Sequence, residues 1–115
     1  MVRVRLLREA GTGSSTSGVL CGYVVEGHAG YAEYGSDIVC AAVSAIAQTI
    51  LFALQDTLGE DQVDCRVEKG DMRVSVALEK ALEEGPKALL RAFEIGLRSI
   101  ASSYPQSVRI DDTGR

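Results

Sequence analysis

The run from Ile38 to Leu54 constrains this chain more than any other stretch. Ile38-Val39, Ala41-Ala42-Val43, Ala45-Ile46-Ala47 and Ile50 to Leu54 make a helix that is apolar on most sides. A helix of that kind has to be covered widely, either inside the domain or by another subunit. Ser36-Asp37 offers an N-cap and a first-turn carboxylate, and Gly59 offers a stop, so the pattern predicts a helix from about Ser36 to Leu58. Ser44, Gln48, Thr49 and Gln55 punctuate the run, which therefore falls short of the ~18 uninterrupted apolar residues of a membrane span.

The segments around this helix supply what it packs against. Val2, Val4 and Leu6 alternate with Arg3 and Arg5, the period of a strand with one buried face. Glu9 to Gly18 is rich in Gly, Ser and Thr and reads as a surface loop, and Val19 to Glu26 reads as a strand returning antiparallel and ending at Gly27-His28. After Gly59, Val63, Cys65 and Val67 share one side of a third strand. Met72, Val74 and Val76 repeat that pattern beyond Lys69-Gly70-Asp71, which is a hairpin signal. Glu79, Glu83 and Glu84 fall in a solvated connection. Pro86 then opens a helix of about five turns through Leu89, Leu90, Phe93, Leu97, Ile100 and Ala101, stopped at Tyr104-Pro105. Ser107 to Ile110 adds a short strand, and Asp111 to Arg115 a polar tail. The order β-β-α-β-β-α-β predicts an α+β fold, a mixed sheet with two helices packed on one face, in a single domain spanning residues 1–115.

Composition removes several function classes. With 46% hydrophobic and 24% charged residues the chain has the balance of a folded globular protein rather than a disordered one. A net charge of −4 argues against direct nucleic-acid binding and favours a basic partner. Met1-Val2-Arg3-Val4-Arg5 lacks the continuous apolar core of a signal peptide, so a cytoplasmic location is expected. Cys21, Cys40 and Cys65 are odd in number and dispersed, which suggests no disulfide framework. With one histidine they form no ordinary zinc site, and no metal or cofactor is expected. Gly27, Gly30 and Gly35 are too loosely placed for a phosphate-binding fingerprint.

Chemistry concentrates between the sole histidine, His28, and Cys40. In the predicted helix Asp37, Cys40, Ser44 and Gln48 are spaced at 3, 4 and 4, so they form a polar stripe on an otherwise apolar cylinder. Cys40 would sit in the first turn, where free backbone N–H groups and the helix dipole favour negative charge and could serve an oxyanion. An imidazole nearby would complete a nucleophile and base pair. Each residue also has a bland role: a cysteine can be a small buried hydrophobe, Asp37 a helix-end charge, and Ser44 a hydroxyl bonded back to the Cys40 carbonyl. Cys21 and Cys65 lie on strand patterns and read as structural.

Gly27-His28-Ala29 followed by Gly35-Ser36-Asp37-Ile38-Val39-Cys40-Ala41-Ala42-Val43-Ser44 resembles the bacterial ribosomal-processing cysteine protease family, Prp, and the likeness extends over nearly the whole chain. The resemblance implies an α+β homodimer in the cytoplasm. It also implies an endopeptidase that removes the N-terminal extension of ribosomal large-subunit protein twenty-seven during ribosome assembly. On that basis His28 matches the catalytic histidine and Cys40 the nucleophile, while Gly27, Asp37 and Ser44 match supporting or substrate-binding positions. Two alternatives remain: a noncatalytic ribosome-associated module that grips a peptide, and an interaction protein that uses the apolar helix only to dimerise.

Overall fold

A computed structural model describes residues 1–10, 18–27 and 34–112, and of residues 34–37 the backbone alone. The elements run β1 (Val2–Glu9), β2 (Val19–Glu26), α1 (Tyr34–Leu58), a single 3-10 turn (Glu60–Gln62), β3 (Asp64–Glu68), β4 (Asp71–Ser75), α2 (Leu78–Ala81), α3 (Glu84–Ser103) and β5 (Val108–Asp112). The strands form one five-stranded sheet in the order β3-β4-β2-β1-β5. β1 and β5 are parallel and the remaining pairs antiparallel, so the sheet is mixed, as the sequence predicts.

Both long helices lie on one face, and Tyr23 in β2 joins them. Its ring stacks on Phe93 of α3 with centroids 3.7 Å apart, and its hydroxyl donates to the Ala47 carbonyl of α1 at 2.7 Å. Burial pushes the Tyr23 phenol far above its ordinary range, so it stays a hydrogen-bond donor. Val2, Val4 and Leu6 point into the same core, where Val39, Val43, Ala47, Leu51 and Leu54 of α1 meet Leu90, Phe93 and Leu97 of α3. The other face of the sheet is charged. Val24 is nonetheless buried there, because its cross-strand neighbours are Arg5 and Arg73, whose aliphatic stems cover it.

Four local differences separate the fold from the sequence pattern. α1 starts at Tyr34, two residues before the Ser36 cap signal. The acidic connection contains α2, whose Ala81 is fully buried. α3 begins at Glu84, inside the expected acidic connection, while Pro86 sits in the first turn as expected, where a missing N–H breaks no helical bond. β5 starts one residue later than expected and ends two residues later, because it follows the register of β1 from Val2↔Val108 to Leu6↔Asp112. The expected Gly/Ser/Thr loop at 11–17, most of the Gly27 to Tyr34 connection and the end of the polar tail lie outside the described residues.

Beside the core, at the Glu9 end of β1, an ionic cluster ties three elements together. Arg8 of β1 contacts Glu94 of α3 at 3.1 Å and Asp112 of β5 at 2.9 Å, and Arg98 contacts the same two carboxylates at 2.9 and 3.0 Å. Burial alone would raise the Glu94 carboxyl, but Arg98 and Arg8 outweigh it and hold it below the ordinary glutamate range.

Candidate active site

Helical periodicity places Cys40 at a boundary. Val39, Val43 and Ala47 point into the core, Ile38, Ala41, Ala45 and Phe52 point outward, and Cys40 and Ser44 fall between them, half-buried. Gln48 continues their stripe one turn further on and is exposed. Ile38–Leu58 is apolar and long enough to cross a bilayer by length and composition, yet here its inner side is the lid of the sheet.

Cys40, Ser44 and Gln48 form one wall of a cleft of about 330 Å³. Val2 and Val25 lie along it, and the β3–β4 hairpin turn from Val67 to Met72 closes the other side. Gly27 sits at the junction. Its N–H donates to the Gly70 carbonyl at 3.0 Å, so the end of β2 is tied to that turn. Gly27 has φ +80, and a Cβ built on it would lie 2.7 Å from the Met1 carbonyl oxygen, so both conformation and space call for glycine. The residue after it is His28, and the backbone leading to that histidine is therefore held on two sides.

Of the residues singled out from sequence, Gly27, Cys40 and Ser44 meet at this cleft, together with Gln48. The Asp37 backbone lies in the first turn of α1, and its side chain falls outside the description, as does His28 entirely. Cys40 is not in the first turn: it is the seventh residue of α1, so its N–H belongs to the helical ladder. In a helix that begins at Tyr34 the N–H groups without an intrahelical partner precede Asp37, so the expectation that Cys40 lies among first-turn donors does not hold. Thr49 bonds back to the Ala45 carbonyl at 2.7 Å, whereas Ser44 makes no such bond among the described residues, which leaves its hydroxyl available to the cleft.

Sequence reasoning missed the Val67 to Met72 wall. The hairpin signal at Lys69-Gly70 was legible, but nothing local says that β4 pairs with β2 and carries the turn to Gly27. Among the other thiols, Cys21 is buried and burial pushes it up, as a structural cysteine requires; Cys65 is exposed on the edge strand rather than packed. A larger cleft, about 780 Å³, lies near Arg8, Leu20, Lys87 and Arg91. Among the described residues its lining holds no cysteine, serine or histidine, whereas the smaller cleft holds Cys40 and Ser44. Among the described residues no three His, Cys, Asp or Glu side chains are grouped to hold a metal ion.

Known proteins resemble this chain in both sequence and fold. Residues 1–109 match the family model for cysteine protease Prp. The ribosomal processing cysteine protease Prp of Mycoplasma genitalium is 33% identical over 91 residues, covering 77% of this chain and 85% of that protein. Two crystal structures of a ribosomal processing protease from S. aureus superpose over 96% of this chain and 98% of theirs. One, with a substrate peptide, has a TM-score of 0.77 at 21% identity; the other, with a covalently linked product peptide, has 0.75 at 22%. A Streptococcus mutans structure, 27% identical, has a TM-score of 0.73 with 96% of this chain and 92% of its own covered.

Proposed function

The chain belongs to the cysteine protease Prp family and is a cysteine protease, and from that premise we propose that it removes the N-terminal extension of ribosomal large-subunit protein twenty-seven during ribosome assembly. Cys40 is the nucleophile and His28 its general base. The observation that carries this reading is the cleft itself, where a half-buried Cys40 and Ser44, whose hydroxyl bonds to no described residue, share the lining with Gly27, the residue before His28. His28 takes the thiol proton, and the Cys40 sulfur attacks the scissile carbonyl carbon. The carbon–nitrogen bond then breaks, His28 returns the proton to the leaving amine, and water releases the acyl group and regenerates the thiol. Ser44 and Gln48 present a hydroxyl and an amide to the substrate backbone, and Asp37 supports the histidine segment.

Three further features of the reading have support of different kinds. The net charge of −4 suits a basic ribosomal tail. Ile38 and Phe52 are 65% and 59% exposed on α1, an apolar surface that suits a homodimer. A cytoplasmic location belongs to the same reading, since ribosome assembly would bring enzyme and substrate together there. A noncatalytic peptide-binding module is the competing reading, and mass spectrometry separates the two. Wild-type protein incubated with the extended ribosomal protein should yield two fragments, and Cys40→Ala should lose at least about a thousandfold in rate while melting unchanged. Turnover by Cys40→Ala at the wild-type rate overturns the assignment; intact but retained substrate with the wild type favours the binding module.

A further inference from the structure

The hairpin that walls the cleft carries an open edge, and its register identifies the unused backbone groups. Glu68 and Asp71 flank the two-residue turn as partners, so in the alternating antiparallel pattern Asp64, Arg66 and Glu68 exchange hydrogen bonds with β4. Two bonds on the other side of β4 fix the same parity. Gly27 N–H donates to the Gly70 carbonyl, and Val76 N–H donates to the Cys21 carbonyl at 2.9 Å, so Met72 and Val74 face β2 while Asp71, Arg73 and Ser75 face β3. The N–H and C=O groups of Cys65 and Val67 therefore point away from the sheet, and no described residue bonds to them. All five residues of β3 are exposed.

This edge is continuous with the site. Val67 and Glu68 line the Cys40 cleft, and near the far end of α1 the Gln55 amide lies 3.9 Å from the Cys65 sulfur. Cys40 and Gln55 are about 22 Å apart along the helix, room for about six extended residues. The cleft alone, at about 330 Å³, sits at the small end of ligand pockets and cannot contain a peptide of that length. Charge is also asymmetric along the strand. Arg66 is taken by Asp71 at 3.6 Å, whereas Asp64 and Glu68 form no ion pair among the described residues.

Resting on the protease reading above, we propose that the substrate is held as an added strand on the edge of β3. Alternate backbone amides of the peptide bond to Val67 and Cys65, their side chains turn toward α1, and basic side chains at the intervening positions lie beside Glu68 and Asp64. The main chain supplies affinity and the alternation supplies selectivity. Because β3 already carries Asp64, Arg66 and Glu68, indiscriminate edge pairing by neutral strands is disfavoured.

The test is a set of synthetic peptides spanning the cleavage junction of the extended ribosomal protein, each N-methylated at one backbone nitrogen and given to the wild-type enzyme. kcat/KM should fall on the order of tenfold at alternate positions and hardly change at those between. Val67→Pro removes an edge N–H that no ladder bond uses, so it should raise KM on the order of tenfold at nearly constant kcat and leave the melting temperature in place. If that proline unfolds the hairpin, the N-methyl series on the wild type decides. Cleavage with a flat N-methyl profile overturns the edge and leaves the protease reading standing. Uncut peptides overturn the protease reading instead, and the dissociation constants of the same series with Cys40→Ala then decide the edge, alternation supporting it and a flat series overturning it. A changed oligomeric state in Val67→Pro with unchanged KM also overturns it, by assigning the edge to a second copy.

Discussion

The two ends of β1 are held in opposite ways. At the Glu9 end, Arg8, Glu94, Arg98 and Asp112 form a closed set of ion pairs linking β1, α3 and β5. At the Val2 end the described contacts are apolar and backbone ones: the buried Val2 side chain, the Val2 N–H to Ser107 carbonyl bond, the Gly27 to Gly70 hydrogen bond and the close approach of Gly27 to Met1, while Ser44 and Glu68 make no side-chain bonds among the described residues. A satisfied polar group stabilises but is not available for chemistry, and an unsatisfied one beside a cleft is the reverse. On the proposed reading stability and reactivity are separated along one strand, and the larger of the two clefts lies at the ion-paired end.

The sharpest way to break this contrast is to remove the centre of the ionic end. Glu94→Ala leaves Arg8 and Arg98 with Asp112 as their remaining shared partner and removes a buried carboxylate from between two arginines, so unfolding should become easier by about 3 kcal/mol. The fraction that remains folded should cleave with unchanged kcat/KM. Chemical denaturation gives the first number and peptide cleavage at low temperature the second; a large drop in kcat/KM of folded protein would show that the two ends are coupled. Gly27→Ala is the reciprocal change. It puts a side chain at φ +80 and against the Met1 carbonyl oxygen, with an expected cost of about 1–2 kcal/mol in stability and a kcat loss larger than that cost explains, because the displaced backbone leads directly into His28. Wild-type kcat in Gly27→Ala would mean that the anchoring of this segment is structural only.

The same division explains which parts of the molecule were legible in the sequence. Helix α1 and its Cys40, Ser44 and Gln48 stripe follow from a local period of 3.6, and β2 from an apolar run bounded by turn residues, so both were readable. The start of α1 was not, since Tyr34-Gly35 carries no helix signal and Ser36 carries a cap signal that the fold overrides. Glu94 looks like any surface glutamate on a helix until β5 is laid beside β1 and brings Asp112 to Arg8, a pairing set by 104 residues of separation. The Val67 to Met72 wall is hidden for the same reason, because its place at the cleft depends on a β4–β2 pairing between distant segments. Helical stripes are local facts; walls and ion clusters are consequences of sheet order.

Acid separates the two ends most gently, and its sign follows from Glu94. The carboxyl faces Arg8 from β1, Arg91 and Arg98 from its own helix, and Asp112 of β5 across the shared arginines. Burial pushes it up, but the hydrogen bond from Arg98 and the charge of Arg8 push it down further, and the net shift is downward. A carboxyl lowered by folding stabilises the native state fully above its unfolded value, and that contribution is lost as pH falls through the lower, folded value. The stability gap between the wild type and Glu94→Gln should therefore be constant near neutrality. It should begin to close as pH enters the ordinary glutamate range at about 4–5 and be smallest below it. Taking the difference between the two proteins cancels the titration of carboxylates they share, except for Asp112, which is bonded to the same arginines. Urea denaturation of both proteins from pH 7 down to pH 3 measures the gap, and a gap that widens with acidification would reverse the sign and remove Glu94 from the stabilising cluster.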